Sequence, residues 1–219
     1  SLFQKLLLYF GYWNLEFLDW NFMFWICIFV FETENPSPDS SGNPFAFFFK
    51  KQKIGTNSGI KLLKMKIRKG QKEDMPAVLS LIQELATFEK EPDAVVVTVA
   101  DLERDGFGEN PLFYTFVAEI DGQIVGMALY YYRYSTWKGK TIHLEDLIVK
   151  EKVRGSGLGY QLYAAVIAQG KKDQVRRIEW AVLDWNTPAI DFYVKSGAKV
   201  LEDWRVAQMD EQGIENFGK

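Results

Sequence analysis

Cysteine and histidine are almost missing from this sequence. Its 219 residues contain one of each, Cys27 and His143. A single cysteine excludes an internal disulfide, and one histidine beside it makes a Cys/His zinc site implausible, so no metal is expected. The same scarcity suits a reducing cytosol. An excess of either charge is missing too. Lys and Arg number 26 against 29 Asp and Glu, for a formal net charge of -3. Nothing in that balance points to nucleic acid. The apolar run from Trp20 to Phe31, bounded by Asp19 and Glu32, falls short of the ~20 residues of a membrane span. It has the length of a signal h-region, but no small-x-small cleavage site follows. What is present is the 47% apolar, 25% charged composition of a globular chain, long enough for one domain with or without an appendage.

The chain is uneven. Residues 1–64 carry 16 of the 34 aromatic residues, and Asn35–Pro44 reads as a linker. Three readings of 1–64 stand: a membrane-surface hairpin, a partner-binding arm, or upstream sequence translated from a start placed too early. The third is preferred. Aromatics and leucines crowd there without the polar partition of an amphipathic helix, and Met65 directly precedes the first orderly pattern. On this reading 65–219 is the functional domain and 1–64 is not part of it. Membrane contact of 1–64 is then not expected. Binding of the full chain to lipid vesicles would overturn that reading.

From Met65 the order is clear. "MKIRKG" predicts a strand, and "EDMPAVLSLIQELATFE" a helix with Asp74 as N-cap and Pro76 in its first turn. Met75, Val78, Leu79, Ile82, Leu85 and Phe88 form one apolar face at helical spacing. A short helix follows, with Thr98 or Asp101 near its start. Two strands flank Asp121–Gly122 as a hairpin, and "KTIHLEDLIV" is a third long strand. "LGYQLYAAVIAQGKK" is a helix and "RRIEWAVL" a strand. "NTPAIDFYVKSG" is a helix ending at Gly197, and "AKVLEDWRVAQMD" a last strand region. The predicted architecture is an α/β (α+β) domain with a mixed, mostly antiparallel sheet.

Between the third long strand and its helix lies "VRGSGLGYQL". A phosphate loop of the Walker type needs Lys-Ser/Thr after its last glycine, and Tyr160-Gln161 stand there instead. The glycines at 155, 157 and 159 do not match the dinucleotide spacing either. Arg154, Gly157 and Gly159 do meet the pattern Arg/Gln-x-x-Gly-x-Gly. At a strand-to-helix junction such a loop offers backbone amides and a helix dipole to a pyrophosphate. The plain alternative is a turn.

The arrangement resembles the GNAT superfamily of acyl-CoA-dependent N-acetyltransferases over Met65 to Met209. The strings "DGFGENP", "YSTWKGKTIHLEDLIV", "RGSGLG" and "AVLDWNTPAIDFYVKSGA" resemble its diamine acetyltransferase branch, which holds the spermidine/spermine and thialysine Nε-acetyltransferases. The resemblance implies a GNAT fold, acetyl-CoA as cofactor, a small primary amine as substrate and a cytoplasmic homodimer. It places the CoA pyrophosphate on Arg154, Gly155, Ser156, Gly157, Leu158, Gly159 and Tyr160. The pantetheine arm falls beside Leu147, Ile148 and Val149, with Asn186 nearby. Asn186 also reads as a helix N-cap.

An amine attacks a thioester only when neutral, and the leaving thiolate needs a proton, so an acceptor and a donor are required. By resemblance Tyr193 is the general acid beside the cofactor sulfur. Phe192 is expected to do the packing and leave Tyr193 freer. Glu145 is by resemblance the amine ligand and the base. Glu145 and Asp146 are adjacent, so a regular strand would point them to opposite sides unless a bulge intervenes. Phe88, Glu89, Glu179, Trp180 and Ala181 match substrate-lining positions, although Glu89 and Glu179 read equally well as surface acids. Ser135-Thr136 follows the thialysine pattern, where the polyamine enzymes carry an acid and a proline. His143 reads as a plain strand residue. The alternatives are a polyamine acetyltransferase and a non-catalytic acetyl-CoA-binding sensor.

Overall fold

The computed structural model describes residues 64–219, together with the backbone of two short antiparallel strands, β1 (Lys53–Thr56) and β2 (Gly59–Leu62). The remainder of the aromatic-rich segment lies outside the described residues, and so do the readings offered for it. Among the described residues, no helix is long and apolar enough to cross a membrane.

Five strands form the main sheet: β3 (Met65–Lys69), β4 (Tyr114–Ile120), β5 (Gln123–Ser135), β6 (Gly139–Val149) and β7 (Ile178–Glu179), in that spatial order. The first four are antiparallel in turn, and β7 runs parallel to β6. Alternation of side chains divides the core. Phe116, Ala128, Tyr130, Ile142 and Leu144 pack under α3 (Leu158–Lys172) and α4 (Thr187–Lys195). Val117, Met127, Leu129 and Ile148 pack under α1 (Met75–Phe88) and α2 (Val99–Phe107). The apolar face expected on α1 is buried at Met75 and Val78, and Leu81 joins it, whereas Phe88 at the helix end stays partly exposed.

Three local readings need correction. Asp74 precedes α1 but does not cap it with its side chain. Its carboxylate instead takes Arg68 through Nη1 at 2.6 Å and Nη2 at 2.8 Å, and Arg68 Nε reaches Glu119 at 2.8 Å. Asp74 Oδ2 also accepts from the Gln71 amide at 2.8 Å, so its carboxylate closes the turn before α1 rather than the start of the helix. The strand expected over "RRIEWAVL" shrinks to Ile178–Glu179, because its neighbour β6 bends away beyond that point. "AKVLEDWRVAQMD" forms no strand. Leu201, Trp204, Val206 and Met209 are exposed there, and the segment pairs with no strand among the described residues. A short helix, α5 (Glu211–Asn216), follows, capped by Asp210.

Candidate active site

The bend in β6 has an identifiable cause. Leu129 stands opposite Asp146, and Tyr130 stands opposite Leu144. Glu145 is therefore an extra residue in the ladder, a bulge. Before it, Leu144 enters the core under α3; after it, Ile148 enters the core under α1. The bulge suspends alternation, so Glu145 and Asp146 both turn toward the α1 side, which the sequence allowed only on that condition.

Glu145 keeps 51% of its side chain exposed, with Oε2 3.5 Å from Nε2 of His143. Asp146 is more enclosed. Burial first, then the charges of Glu145 and Glu89, push its pKa up to about 6. Glu89, just past the end of α1, is itself raised by burial. Glu145 and Glu89 thus both disfavour the charge of Asp146 on one acidic face, a setting that favours a cationic guest. The enclosure of Asp146 was not visible in the sequence, which singled out Glu145 alone.

On the other side of β6 a gap opens. Ile178 and Glu179 pair with Ile142 and His143, and beyond them β6 has no strand on that edge among the described residues. Leu147, Ile148 and Val149 lie along this edge, where an extended arm can add main-chain hydrogen bonds. Across the gap Trp180 packs against Tyr193 with ring centroids 4.7 Å apart and planes tilted by 48°. Tyr193 is only 8% exposed. Burial, with Tyr163 adding to it, pushes its hydroxyl up to about 12, so it keeps its proton at neutral pH. The division of labour expected from the sequence is reversed. Tyr193 is the buried ring, and Phe192 is a less buried neighbour 5.2 Å away.

The glycine loop forms the N-terminus of α3. Gly155 (φ +76°) and Gly157 (φ +85°) occupy the left-handed region, where a side chain costs strain. Gly157 is the N-cap, and no side chain caps this helix. The first amides of α3 at Leu158, Gly159 and Tyr160 therefore lack intrahelical acceptors. Ser156 turns its hydroxyl back to the Val153 carbonyl at 2.6 Å. Arg154 donates through Nε to the Val149 carbonyl at 3.1 Å and lies over the Phe88 ring. Free amides, a helix dipole and a fixed guanidinium fit a pyrophosphate.

Phe88 also meets Trp185 at 5.5 Å, and Lys90 sits over Trp185 at 4.7 Å. This bridge joins the end of α1 to the loop before α4, and Trp185 was not singled out from the sequence. Asn186 accepts from Ala189 N at 3.4 Å as the N-cap of α4. Glu179 is tied to Arg133 at 2.7 Å and Arg177 at 2.8 Å, whereas Ala181 is exposed on the strand's irregular continuation. Ser135 and Thr136 sit at the tip of the β5–β6 hairpin. Ser135 pairs with Gly139, and the six residues from there to Glu145 span roughly 20 Å of strand. One chain does not bring that tip to Glu145.

The family model described as the acetyltransferase (GNAT) family matches residues 76–198. A thialysine N-epsilon-acetyltransferase of Sus scrofa is 41% identical over 159 residues, covering 68% of this chain and 94% of that protein. The spermidine/spermine N(1)-acetyltransferase-like protein 1 of Homo sapiens is 36% identical over 158 residues, covering 68% of this chain but 23% of that longer protein. Among solved structures, an aminoglycoside N-acetyltransferase in complex with CoA superposes with a TM-score of 0.55 at 21% identity, covering 68% of this chain and 96% of the other. At that identity the likeness is one of fold.

Proposed function

The chain belongs to the GNAT acetyltransferase family and is an N-acetyltransferase, and from that premise we propose that it acetylates the primary amine of a small, cationic, thialysine- or diamine-like substrate. The observation that carries the substrate class is the bulge at Glu145, which turns two adjacent carboxyl groups toward Glu89 on one face. Acetyl-CoA, when bound, supplies the thioester-linked acetyl group.

The amides of Leu158, Gly159 and Tyr160, the loop from Gly155 to Gly157 and the guanidinium of Arg154 would hold the pyrophosphate. The open edge at Leu147, Ile148 and Val149 would take the pantetheine arm, with Asn186 beside it. Glu145 and Asp146 would receive the ammonium group, together with Phe88, Glu89 and Trp180. The carboxyl pair accepts the proton that the amine must lose. Which oxygen carries it is a property of the coupled pair, and a group poised near 6 suits base catalysis at neutral pH. Tyr193 holds its proton and is the donor to the leaving thiolate.

The absence of an acid at Ser135-Thr136 favours a short amine over a long polyamine. A cytosolic homodimer belongs to the same proposal. It is supported by the single cysteine, by the exposed apolar residues between Leu201 and Met209, and by the distance of the Ser135 tip from Glu145. The test is thiol release from acetyl-CoA with thialysine, ornithine, putrescine and spermidine. Faster turnover of thialysine or ornithine supports the reading. Preference for spermidine would reassign the substrate, and binding of acetyl-CoA without turnover of any amine would sink catalysis on this class.

A further inference from the structure

His143 is the one histidine of the chain, and its surroundings are specific. Its ring lies 5.2 Å from that of Tyr131, tilted by 31°, and its side chain is 17% exposed. Nδ1 is buried without a hydrogen-bond partner, while Nε2 faces Glu145 Oε2 at 3.5 Å. The charged groups around the ring are otherwise engaged. Glu179, opposite His143 on β7, is held by Arg133 and Arg177. Glu145 is thus the acceptor left for the imidazole. A buried lone pair is a smaller loss than a buried, unbonded N–H, so the tautomer that fits carries its proton on Nε2 and aims it at Glu145.

Glu145 needs such a hold. As the bulged residue it lacks a partner in the ladder, and its side chain is half in solvent. From this geometry we propose that His143 is a positioning residue for Glu145, holding the carboxylate in the orientation that receives the amine. The proposal rests on the reading that Glu145 handles the substrate amine. Tilted contact with the Tyr131 ring holds the imidazole, and a slight turn of Glu145 closes the 3.5 Å separation to a hydrogen bond. Misorientation of a reacting carboxylate by about 1 Å is enough to cost catalysis heavily.

Two measurements on the full chain test this. Because there is one histidine, ¹⁵N-histidine labelling gives one pair of ring nitrogen signals. The Nε2–H tautomer is expected, and Glu145→Gln should shift the Nε2 signal in the absence of any substrate. An Nδ1–H tautomer, or signals indifferent to Glu145→Gln, would overturn the contact. The second measurement is turnover of acetyl-CoA with whichever of thialysine, ornithine, putrescine and spermidine reacts fastest. His143→Phe, which keeps the ring but not the donor, should lower kcat about tenfold, with an unchanged melting temperature and acetyl-CoA affinity. His143→Gln, which keeps a donor, should recover most of that loss. His143→Phe should also add little to Glu145→Gln, since coupled residues are not additive. Full kcat in His143→Phe, equal losses in Phe and Gln, or additive losses would refute positioning. If the nitrogen signals respond but Glu145→Gln leaves turnover unchanged, the role of Glu145 is what fails, and the catalytic part of this proposal fails with it.

Discussion

The hydroxyl of Tyr163 lies 3.0 Å from that of Ser196, which donates in turn to the backbone carbonyl of Tyr193 at 2.6 Å. The end of α4 is thereby pinned to α3. The helix closes as a Schellman turn, with Gly197 at φ +93° and Ala198 N bonded to Tyr193 O at 3.1 Å. Tyr193 is fixed by its backbone from one side and by Trp180 and Tyr163 from the other. Tyr193→Phe keeps all the packing and removes only the hydroxyl. Turnover should fall by roughly 10²–10⁴ if that hydroxyl supplies the proton, with acetyl-CoA affinity and melting temperature unchanged. Steady-state kinetics beside calorimetry check this, and undiminished kcat would take Tyr193 out of the mechanism.

Asp146 ties stability to pH. Its pKa rises on folding from 3.8 to about 6, so the folded state binds the proton more tightly than the unfolded one. Its contribution is complete below about pH 4 and is lost as pH rises through about 6. Asp146→Asn should match the parent in stability near pH 4 and exceed it by about 1–2 kcal/mol at pH 7.5, after allowing for partial solvent screening. Urea unfolding at the two pH values decides it, and an equal difference at both would contradict the burial argument.

Gly157→Val places a β-branched residue at φ +85°, where no neighbour lies within 4 Å of the added Cβ. The cost is backbone strain of about 1–2 kcal/mol and a side chain above the free amides of α3. Acetyl-CoA affinity should drop more than tenfold in calorimetry while the far-ultraviolet spectrum stays intact. Unchanged affinity would show that the pyrophosphate sits elsewhere.

Light scattering at micromolar concentration should give the mass of a dimer. Charge placed on the exposed apolar segment, as in Trp204→Glu with Val206→Lys, should shift the protein toward monomer. A monomeric parent chain would remove the homodimer from the proposed function.

The helices and the glycine loop were legible in the sequence because their signals are local. The spacing of Met75, Val78 and Ile82 writes α1, Thr98 and Asp101 write the capping box of α2, and Gly157 marks the start of α3. What was not legible depends on pairing. A bulge has no residue signature, so the shared face of Glu145 and Asp146 could be stated only as a condition. The shortness of β7 follows from that bulge rather than from Trp180 or Ala181 themselves. The segment from Ala198 to Met209 is rich in apolar residues like a strand, yet it pairs with no strand among the described residues. Asp74 reads as the cap of α1 because its real partner, the Arg68 guanidinium shared with Glu119, is set in place only once β3 and β4 pair.

The bulge at Glu145 stores information as a count. Glu145 and Asp146 share a face because one residue more stands on β6 than on β5. Exchanging either residue leaves the count intact. Deleting Glu145 does not: the strand then alternates regularly from Leu144 onward, Asp146 to Val149 keep their faces, and the α1 side holds one carboxyl group where it had two. A chain shortened by that one residue would lose its carboxyl pair while the core on both faces stayed in register. The pair of acids on this face therefore depends on the number of residues between His143 and Lys150 as much as on their identity.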